Sequence, residues 1–491
     1  MTIHRLSATQ LVPRRIEEVF AFFERPENLG RITPETMGFE FLTEDREMRE
    51  GLRIDYRIRP LLGIPLTWQT QIADYDPPNG FRDVQRRGPY RHWEHRHTFE
   101  AVEGGTLVRD DIEYALPLGP LGDVVNRLVV RSELATIFRH RAAAIRTVFA
   151  QPGPASGLTV AVAGGTGFVG AAIATELVRR GHRVVVLSHR GEPARGGLPD
   201  SVEIRSADVR TGHGLGEALA GVDAVAIALA FRNSPIEAPR RHQTFMEVDA
   251  GGTEHVVQAA VRAGVRRVVY LSGAGAAPDA ARHWFRAKWR AEDAVRSSGM
   301  TWTIIRPTWI FGPRDVSLNR FIGFARRLGM VPMTNTGSQL LAPVFVDDAA
   351  VLAADALTAD AAANQVFELG GPETLSMRRI IVTALRVAGL RRPIIPGPTP
   401  LIKLAALPLS WLPRPLLTPD AVDFINQPAT VDIEPLLRRM PRRLTPLEEG
   451  LRTYLDAAGN GATLVFDGAG PGSRRDAPRP GDPRPPASDQ T

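Results

Sequence analysis

A glycine-rich loop with the sequence AGGTGFVG, residues 163–170, follows an apolar run and precedes a helical stretch over residues 171–180. A strand, a tight glycine turn and a helix in this order are typical of the phosphate-binding loop of a dinucleotide-binding fold. The first glycine permits the turn, the second lets a pyrophosphate approach the backbone, and the third lets the helix pack against the strand. The N–H groups at the helix N-terminus would then face the phosphates. The loop predicts dinucleotide contacts from Gly164, Thr166, Gly167, Phe168, Val169 and Gly170.

Short apolar runs alternate with helical stretches over residues 158–456. This alternation is typical of a doubly wound parallel sheet with helices on both faces. The predicted fold class of the segment is therefore α/β of the Rossmann type. The predicted strands are 158–163, 183–187, 202–204, 223–229, 267–271 and 302–305.

Residues that follow the second and third predicted strands bear on the choice between NAD and NADP. An acid at the end of the second strand would bind the ribose 2′-hydroxyl of NAD, whereas a basic residue favours the 2′-phosphate of NADP. That strand ends in Ser188-His189-Arg190, and no acid occurs before Glu192. Arg190 therefore favours NADP, with NAD as the alternative cofactor. Asp208 and Val209 follow the third strand, where Asp208 either helps to hold the adenine or is a turn residue.

Composition excludes several classes of protein. The chain has 491 residues and no Cys, which excludes a disulfide scaffold and a Cys-ligated metal and fits a reducing cytoplasm. No apolar run is long enough for a transmembrane helix. The net charge is +6, but the basic residues are scattered along the chain, so we predict no nucleic-acid partner.

Shifts in composition divide the chain into four parts. Residues 151–157 are rich in Pro, Gly and Ser and predict a linker between residues 1–150 and 158–456. The tail from 457 to 491 ends in a stretch whose only apolar residue type is Ala, so we predict that the tail is disordered.

Residues 1–150 have the pattern of an α+β domain. Helical periodicity occurs over 13–23 and again over 121–149. The residues between them alternate apolar and polar side chains, which predicts strands at 53–59, 67–75, 91–101 and 106–114. This order indicates a curved antiparallel sheet wrapped on a long C-terminal helix.

Several runs in the second part resemble atypical or extended short-chain dehydrogenases/reductases. The nearest branch is the NmrA-like one, which also contains the nucleotide-binding accessory subunit of respiratory complex I. The runs that carry the resemblance are 248–253 (VDAGGT), 268–272 (VVYLS), 285–288 (FRAK), 306–307 (RP), 311–313 (FGP) and 343–348 (PVFVDD). The resemblance implies a Rossmann domain that binds NAD or NADP.

The same resemblance implies a Ser followed by Tyr-x-x-x-Lys as the proton relay. Ser272 and Lys288 occupy two of these positions and are the candidate catalytic residues, with Lys288 also on the nicotinamide ribose. The tyrosine position holds Trp284, whose indole N–H cannot titrate in the range that acid–base catalysis needs. His283 is about 140° around the helix from Lys288 and cannot substitute for the tyrosine.

Three arrangements therefore remain open. Ser272 and a water act with Lys288; or Lys288 alone is the acid–base group, as the resemblance to isoflavone-reductase-like relatives allows; or the domain binds nucleotide without turnover. A second departure is Asp249, which stands where the family normally has the Asn that braces the central helix.

The first part of the chain resembles the START-like (SRPBCC) superfamily of polyketide cyclases and lipid-transfer proteins. The runs that carry this resemblance are 12–23, 26–28, 93–99 and 105–106. It implies a helix-grip fold around an apolar cavity and a hydrophobic small-molecule ligand. Strand alternation places His95 and His97 on one face, among aromatic side chains. Because no third ligand is evident, we predict no metal site.

Together these observations predict a two-module protein. The expected function is an NAD(P)-dependent oxidoreductase that acts on a hydrophobic small molecule; the alternatives are an inactive nucleotide-binding sensor or assembly protein and a lipid-binding or transfer protein. An apolar, proline-punctuated stretch, 394–417, either covers its own domain or makes peripheral contact with a membrane.

Overall fold

The architecture is taken from a computed structural model that describes residues 2–34, 37–58, 65–117, 119–126, 130–149, 157–191, 196–231, 235–410, 418–455 and 462–466. Within these ranges the chain forms an eight-stranded antiparallel sheet, a seven-stranded parallel sheet and three two-stranded sheets. Most of the predicted linker 151–157 lies outside the described residues.

The N-terminal part forms an antiparallel sheet of strongly curved strands. Its strands are β1 (His4–Val12), β2 (Glu40–Phe41), β3 (Arg53–Ile58), β4 (Leu66–Asp76), β5 (Gly80–Arg87), β6 (His92–Val102) and β7 (Gly105–Ala115). Its helices are α1 (Ile16–Phe23), α2 (Pro120–Val125) and α3 (Arg131–Val148). Helix α3 buries Phe138 and Ile145 against the sheet, as expected for a helix-grip domain. The helix predicted over 121–149 corresponds to α2 and α3, which lie on either side of residues 127–129, outside the described part of the chain.

The C-terminal part is built on short strands separated by helices. Its strands are β8 (Thr159–Ala163), β9 (Arg183–Ser188), β10 (Glu203–Ser206), β11 (Ala224–Ile227), β12 (Arg267–Leu271), β13 (Thr301–Pro307), β14 (Ile310–Phe311), β15 (Val331–Thr334), β16 (Leu340–Leu341), β17 (Val344–Phe345), β18 (Gln365–Leu369), β19 (Leu375–Ser376) and β20 (Ile394–Gly397). Its helices are α4 (Phe168–Arg179), α5 (Leu215–Ala218), α6 (Gly252–Arg262), α7 (His283–Arg296), α8 (Val316–Arg327), α9 (Val346–Ala356), α10 (Met377–Val387), α11 (Thr399–Ser410), α12 (Pro419–Asn426), α13 (Glu434–Arg439) and α14 (Leu447–Leu455).

Seven of these strands form a parallel sheet in the order β10-β9-β8-β11-β12-β13-β18. This is the doubly wound order, in which the direction of winding reverses beside the first strand and leaves a crevice for a nucleotide. Both faces of β8 are buried: Val160 and Val162 pack in one apolar cluster, and Ala161 and Ala163 pack in the other. The α/β Rossmann prediction is confirmed, and all six predicted strands are present with small shifts of their ends.

A final strand, β21 (Ala462–Phe466), pairs antiparallel with β1 at the edge of the N-terminal sheet. It lies in the tail that we predicted to be disordered from 457 onward, so that prediction is wrong for residues 462–466. Residues 462–466, ATLVF, are a short apolar and β-branched run, so the strand signal was present in the sequence, but the composition of the rest of the tail outweighed it. Residues 467–491 lie outside the described part of the chain.

The apolar stretch 394–417 forms β20 and α11, and its residues 411–417 lie outside the described residues. Ala406 is buried, whereas Ala405 is exposed. The outward face of α11 carries exposed leucines, so membrane contact there stays a prediction; they are Leu401, Leu404 and Leu407. Among the described residues, no helix is both long and apolar enough to cross a bilayer.

Candidate functional site

The glycine loop closes tightly between β8 and α4. Gly164 has a φ of +83°, and a Cβ there would lie 2.3 Å from the carbonyl oxygen of Ala228. A Cβ at Gly170 would lie 2.2 Å from the carbonyl oxygen of Gly164, so this position also requires glycine. Gly167 is the N-cap of α4 and is exposed, and no side chain caps the helix. The free N–H groups at the start of α4 therefore remain available to an anion.

The other predicted loop residues face the later part of the chain. The carbonyl oxygen of Thr166 accepts a hydrogen bond from Arg314 at 3.2 Å. The Phe168 ring packs closely against Gly312, since a Cβ at residue 312 would lie 3.1 Å from the ring. Val169 is half-buried against the apolar core. The segment around Gly312 therefore forms the opposite wall of the nucleotide crevice.

Basic groups gather where the adenosine end of a dinucleotide would lie. His189 and Arg190 are exposed after β9, and the backbone N–H of Arg190 donates to Ser188 Oγ at 3.2 Å. Asp208 accepts hydrogen bonds from the backbone and side chain of Arg210, at 2.9 and 3.2 Å. The pKa of Asp208 is lowered, because these bonds outweigh burial, which alone would raise it. Asp208 is thus a turn residue, and its contact with adenine stays a prediction.

Val209 is held by its neighbours rather than left free. Its carbonyl oxygen accepts a hydrogen bond from His255 Nδ1 at 2.9 Å. Its side chain packs beside Gly252 at the start of α6. Val209 therefore packs against the start of α6, beside the predicted nucleotide crevice.

Lys288 forms a buried ion pair that sequence analysis did not identify. Its Nζ lies 2.5 Å from Asp249 Oδ1, and the Asp249 side chain is only 2% exposed. The lysine nitrogen also lies 5.6 Å from the ring centre of Tyr270. Burial alone would lower the pKa of Lys288, but Asp249 raises it above its usual value. Lys288 is therefore held as an ammonium ion and is a poor acid at neutral pH.

Ser272 is engaged with a different carboxylate. Its hydroxyl donates to Glu292 Oε1 at 2.5 Å, and Glu292 is fully buried. Arg306 donates two hydrogen bonds of 2.8 Å to the same carboxylate, and Arg296 donates one of 2.6 Å. The Lys288 side chain packs beside Gly273, so the two candidate catalytic residues are neighbours with separate partners. Ser272 and Lys288, the two expected members of the relay, therefore each bind a different buried carboxylate.

Replacing Glu292 with Gln should destabilise the domain. The amide leaves Arg306 and Arg296 without their buried counter-charge, and breaking one side of a buried ion cluster costs about 3–5 kcal/mol. Chemical denaturation measures the loss in free energy of unfolding. Asp293→Asn is the control because Asp293 is the adjacent, exposed carboxylate on the same helix. Equal stability of the two variants would contradict the structural role of Glu292.

Trp284 occupies the tyrosine position in an aromatic cluster. It is 3% exposed, and its ring lies 6.3 Å from Phe245 and 5.5 Å from Phe424 of α12. Its indole N–H has no hydrogen-bond partner among the described residues. His283, one residue earlier, turns away and pairs with Glu237 at 2.8 Å. The position thus presents a packed apolar ring instead of a titratable hydroxyl.

The N-terminal domain contains a second buried polar cluster. His95 and His97 lie on the inner face of β6, as predicted, with ring centres 3.9 Å apart. Asp83 of β5 lies beside both imidazoles, and Asp110 of β7 lies at their other ends. Arg141 of α3 donates two 3.0 Å hydrogen bonds to Asp110. Burial alone would raise the pKa of Asp110, but Arg141 and the imidazoles lower it well below its usual value.

Sequence analysis missed Asp83, and the prediction of no metal site rested on the absence of a third ligand. The structure supplies that third group. The signal was in the hairpins: the register set by the turns pairs Asp83 with His95 and His97 with Asp110. Counting outward from the turn at Gly104 would have placed the second pair on one face.

Two protein families match separate parts of the chain. Residues 164–319 match the family described as NAD(P)H-binding. Residues 12–138 match the family described as polyketide cyclase / dehydrase and lipid transport. The two matches correspond to the two sheets of the structure.

Several curated proteins are similar to part of this chain. The mitochondrial NADH dehydrogenase [ubiquinone] 1 alpha subcomplex subunit 9 of Arabidopsis thaliana is 27% identical, over 55% of this chain and 69% of that protein. The NADH-ubiquinone oxidoreductase 40 kDa subunit of Neurospora crassa is 28% identical, over 57% and 73%. The 2-alkyl-3-oxoalkanoate reductase of Stenotrophomonas maltophilia is 28% identical, over 48% and 77%.

Among solved structures, UDP-glucuronic acid 4-epimerase from Bacillus cereus, in complex with UDP-glucuronic acid and NAD, has the same fold. It is 16% identical, with a TM-score of 0.50, over 61% of this chain and 98% of that one. The chain therefore joins an N-terminal domain of the polyketide cyclase and lipid transport type to a C-terminal NmrA-like, NAD(P)-binding Rossmann domain.

Proposed function

We propose that the C-terminal domain acts by binding NADP(H), and that it does not reduce carbonyl compounds through the proton relay of short-chain dehydrogenases. One observation carries this proposal: Trp284 replaces the tyrosine while Asp249 holds Lys288 in a 2.5 Å ion pair. A relay needs a group that exchanges a proton near neutral pH. The indole does not titrate there, and Asp249 raises the pKa of Lys288 away from that range. The functional form of the domain is then the nucleotide-bound form, as in a sensor or an assembly subunit.

The relatives support the same proposal. Two of them are subunits of a mitochondrial NADH dehydrogenase. We infer that this domain, like a subunit of a larger enzyme, binds its nucleotide without turning over a substrate of its own.

Fluorescence titration with NADPH, followed by oxidation assays over hydrophobic ketones and quinones, tests the proposal. We expect saturable binding without turnover. The Lys288→Ala variant should likewise show no turnover. Steady oxidation of NADPH that disappears in Lys288→Ala would refute the proposal and support the second candidate below.

The second candidate is an oxidoreductase that acts on a hydrophobic small molecule. The observation in its favour is an apolar aromatic cluster around the tyrosine position of the relay. Its rings pack against one another and would give an apolar substrate a hydrophobic surface; they are Phe231, Phe245, Trp284, Phe285 and Phe424. One relative is a 2-alkyl-3-oxoalkanoate reductase. Turnover of an apolar ketone in the assay above decides for this candidate.

Arg190 is expected to select NADP over NAD. A hydrogen bond to a charged phosphate contributes about 1.5–3 kcal/mol. Arg190→Ala should therefore weaken NADPH binding about 10-fold or more while leaving the dissociation constant for NADH nearly unchanged. Arg183→Ala is the control, because Arg183 is an exposed arginine at the opposite end of the same strand. An equal loss for both nucleotides in Arg190→Ala would show that Arg190 does not read the 2′-phosphate.

We propose further that the N-terminal domain holds a hydrophobic small molecule. Its family match and its aromatic inner face support this; Tyr56, Trp68, Tyr90 and Trp93 form successive ring contacts of 4.8–5.8 Å. Native mass spectrometry of the purified chain should show a co-purified apolar ligand. Protein that binds no fatty acid or polyketide-like probe in solution would contradict the proposal.

A further inference from the structure

We propose that Asp83, His95 and His97 form a binding site for a divalent transition-metal ion inside the N-terminal domain. The three residues belong to two neighbouring strands, β5 and β6, and all face the interior. One ligand atom from each lies within 4.8 Å of the other two. Two imidazoles and one carboxylate are a ligand set that zinc and ferrous iron accept.

The distances are compatible with a bound metal ion as well as with a hydrogen-bonded polar cluster. Asp83 Oδ2 lies 3.2 Å from His97 Nε2 and 3.5 Å from His95 Nδ1. Two ligands that each lie about 2.0–2.2 Å from a tetrahedral zinc ion are roughly 3.3–3.6 Å apart. The two carboxylate–imidazole distances therefore match the edges of such a tetrahedron, and the two imidazole nitrogens lie within 4.8 Å of each other.

The outer nitrogens of both imidazoles are held as metal-ligating histidines usually are. Asp110 Oδ1 lies 3.0 Å from His95 Nε2 and 2.7 Å from His97 Nδ1. A carboxylate in this position accepts the outer N–H of each ring and turns the other nitrogen toward the metal. Arg141 fixes that carboxylate with two hydrogen bonds and also lies 3.2 Å from His97 Nδ1.

In the tautomer that binds a metal, His95 and His97 both donate to Asp110, and their other nitrogens present lone pairs toward the Asp83 carboxylate. Without an ion, the 3.2 Å contact between His97 Nε2 and Asp83 Oδ2 is a hydrogen bond in which the imidazole donates. Lone pairs that meet a carboxylate in a buried place are unfavourable unless a cation lies between them. A metal ion satisfies all three groups at once, whereas a single proton satisfies one contact. Thr70 Oγ1 holds the second oxygen of Asp83 at 3.2 Å, which keeps Oδ2 directed at the imidazoles.

The cluster is partly exposed on the Asp83 side. The Asp83 side chain keeps 18% of its exposure, while His95 and His97 keep 9% and 6%. Trp68, two residues before Thr70 on the same face of β4, has an indole N–H without a hydrogen-bond partner among the described residues. A metal bound by three protein atoms leaves an open coordination position for a water or a carbonyl oxygen. That position would face the aromatic side of the interior.

Metal content and titration of the full-length chain test this inference. After treatment with a chelator, calorimetry with zinc, and then with ferrous iron under anaerobic conditions, should show about one equivalent bound per chain. Zinc should also raise the melting temperature, because an ion that binds only the folded state stabilises it. Cobalt should give the visible absorption of a four- or five-coordinate ion.

Variants assign the ion to this cluster. Asp83→Asn and His97→Gln should each weaken zinc binding about 100-fold or more, and Asp110→Asn about 10–100-fold, as for other partners that orient a ligand. His92→Gln is the control, since His92 lies on the opposite face of the same strand. Near-UV circular dichroism verifies that each variant is folded.

Two results would overturn the inference. The first is wild-type chain that binds no zinc or iron equivalent, which leaves the cluster as a proton-bridged ion network. The second is zinc binding that Asp83→Asn and His97→Gln leave unchanged, which places the ion elsewhere. The wild-type titration decides the first point even where a variant fails to fold.

Discussion

Gly167→Ala is expected to weaken binding of NADPH strongly while leaving the fold intact. Gly167 is exposed at the N-cap of α4, and its φ of −81° suits any residue. A Cβ there would meet only the carbonyl oxygen of Gly164, at 3.1 Å, which requires an adjustment of a few tenths of an ångström. The added methyl group projects toward the solvent-exposed side of the loop, where the pyrophosphate must approach the backbone.

The expected effect on binding is large because the loop binds through its backbone. A methyl group that displaces the pyrophosphate separates several N–H groups from the phosphate oxygens together, and each such charged hydrogen bond contributes about 1.5–3 kcal/mol. We therefore expect the dissociation constant for NADPH to rise by about 100-fold or more. The free energy of unfolding without nucleotide should change by about 1 kcal/mol at most.

Gly216→Ala is the matched control, since a Cβ at Gly216 would meet nothing within 4 Å. Fluorescence titration and thermal unfolding of both variants separate loss of binding from loss of fold. If the Gly167→Ala protein binds NADPH as tightly as wild type, the nucleotide does not bind at this loop and the proposed function is wrong.

The sequence was sufficient for the features that depend on local pattern. Glycines at 164, 167 and 170, short apolar runs and their spacing predicted the Rossmann sheet, because these patterns act between neighbouring residues. The inward positions of His95 and His97 followed in the same way from strand alternation. Both families that match the chain were identified from such runs.

The partners of the candidate catalytic groups could not be predicted from local pattern. Asp249 reaches Lys288 from a different helical segment, and Glu292 reaches Ser272 across the end of a strand. Such pairs depend on tertiary packing. From the sequence alone, a carboxylate that will be buried cannot be distinguished from one on a solvent-exposed helix face. The i,i+4 spacing of Lys288 and Glu292 on α7 would even have predicted the wrong pair, since Lys288 binds Asp249 and Glu292 binds Ser272.

Restoring the proton relay should require two substitutions, and the pair Trp284→Tyr and Asp249→Asn is expected to give turnover that neither gives alone. A tyrosine at 284 supplies the missing hydroxyl, but Asp249 still neutralises Lys288 at 2.5 Å. A phenol titrates near neutral pH only when an unpaired cation stabilises its phenolate. Asn at 249, the residue that short-chain dehydrogenases normally carry there, removes the competing negative charge.

General acid–base catalysis by a positioned side chain contributes about 10²–10⁴-fold to a rate. The double variant should therefore oxidise NADPH with an apolar ketone at least about 100-fold faster than the wild-type background, whereas Trp284→Tyr alone should stay within about 10-fold. The measurement is steady-state oxidation of NADPH with the same ketone panel for every variant.

Trp284→Phe with Asp249→Asn is the control that isolates the hydroxyl. It makes a similar cavity among Phe245, Phe285 and Phe424, and it frees Lys288 in the same way, so the two double variants differ by one oxygen atom. Leaving Lys288 as an unpaired buried cation costs about 3–5 kcal/mol in both, so their stabilities should match. Equal rates for the Tyr and Phe variants would mean that the relay geometry is lost beyond these two positions. A rate that depends on the hydroxyl would mean that the crevice still holds ketone and nicotinamide in reacting positions, and that the wild-type chain lacks only the proton donor.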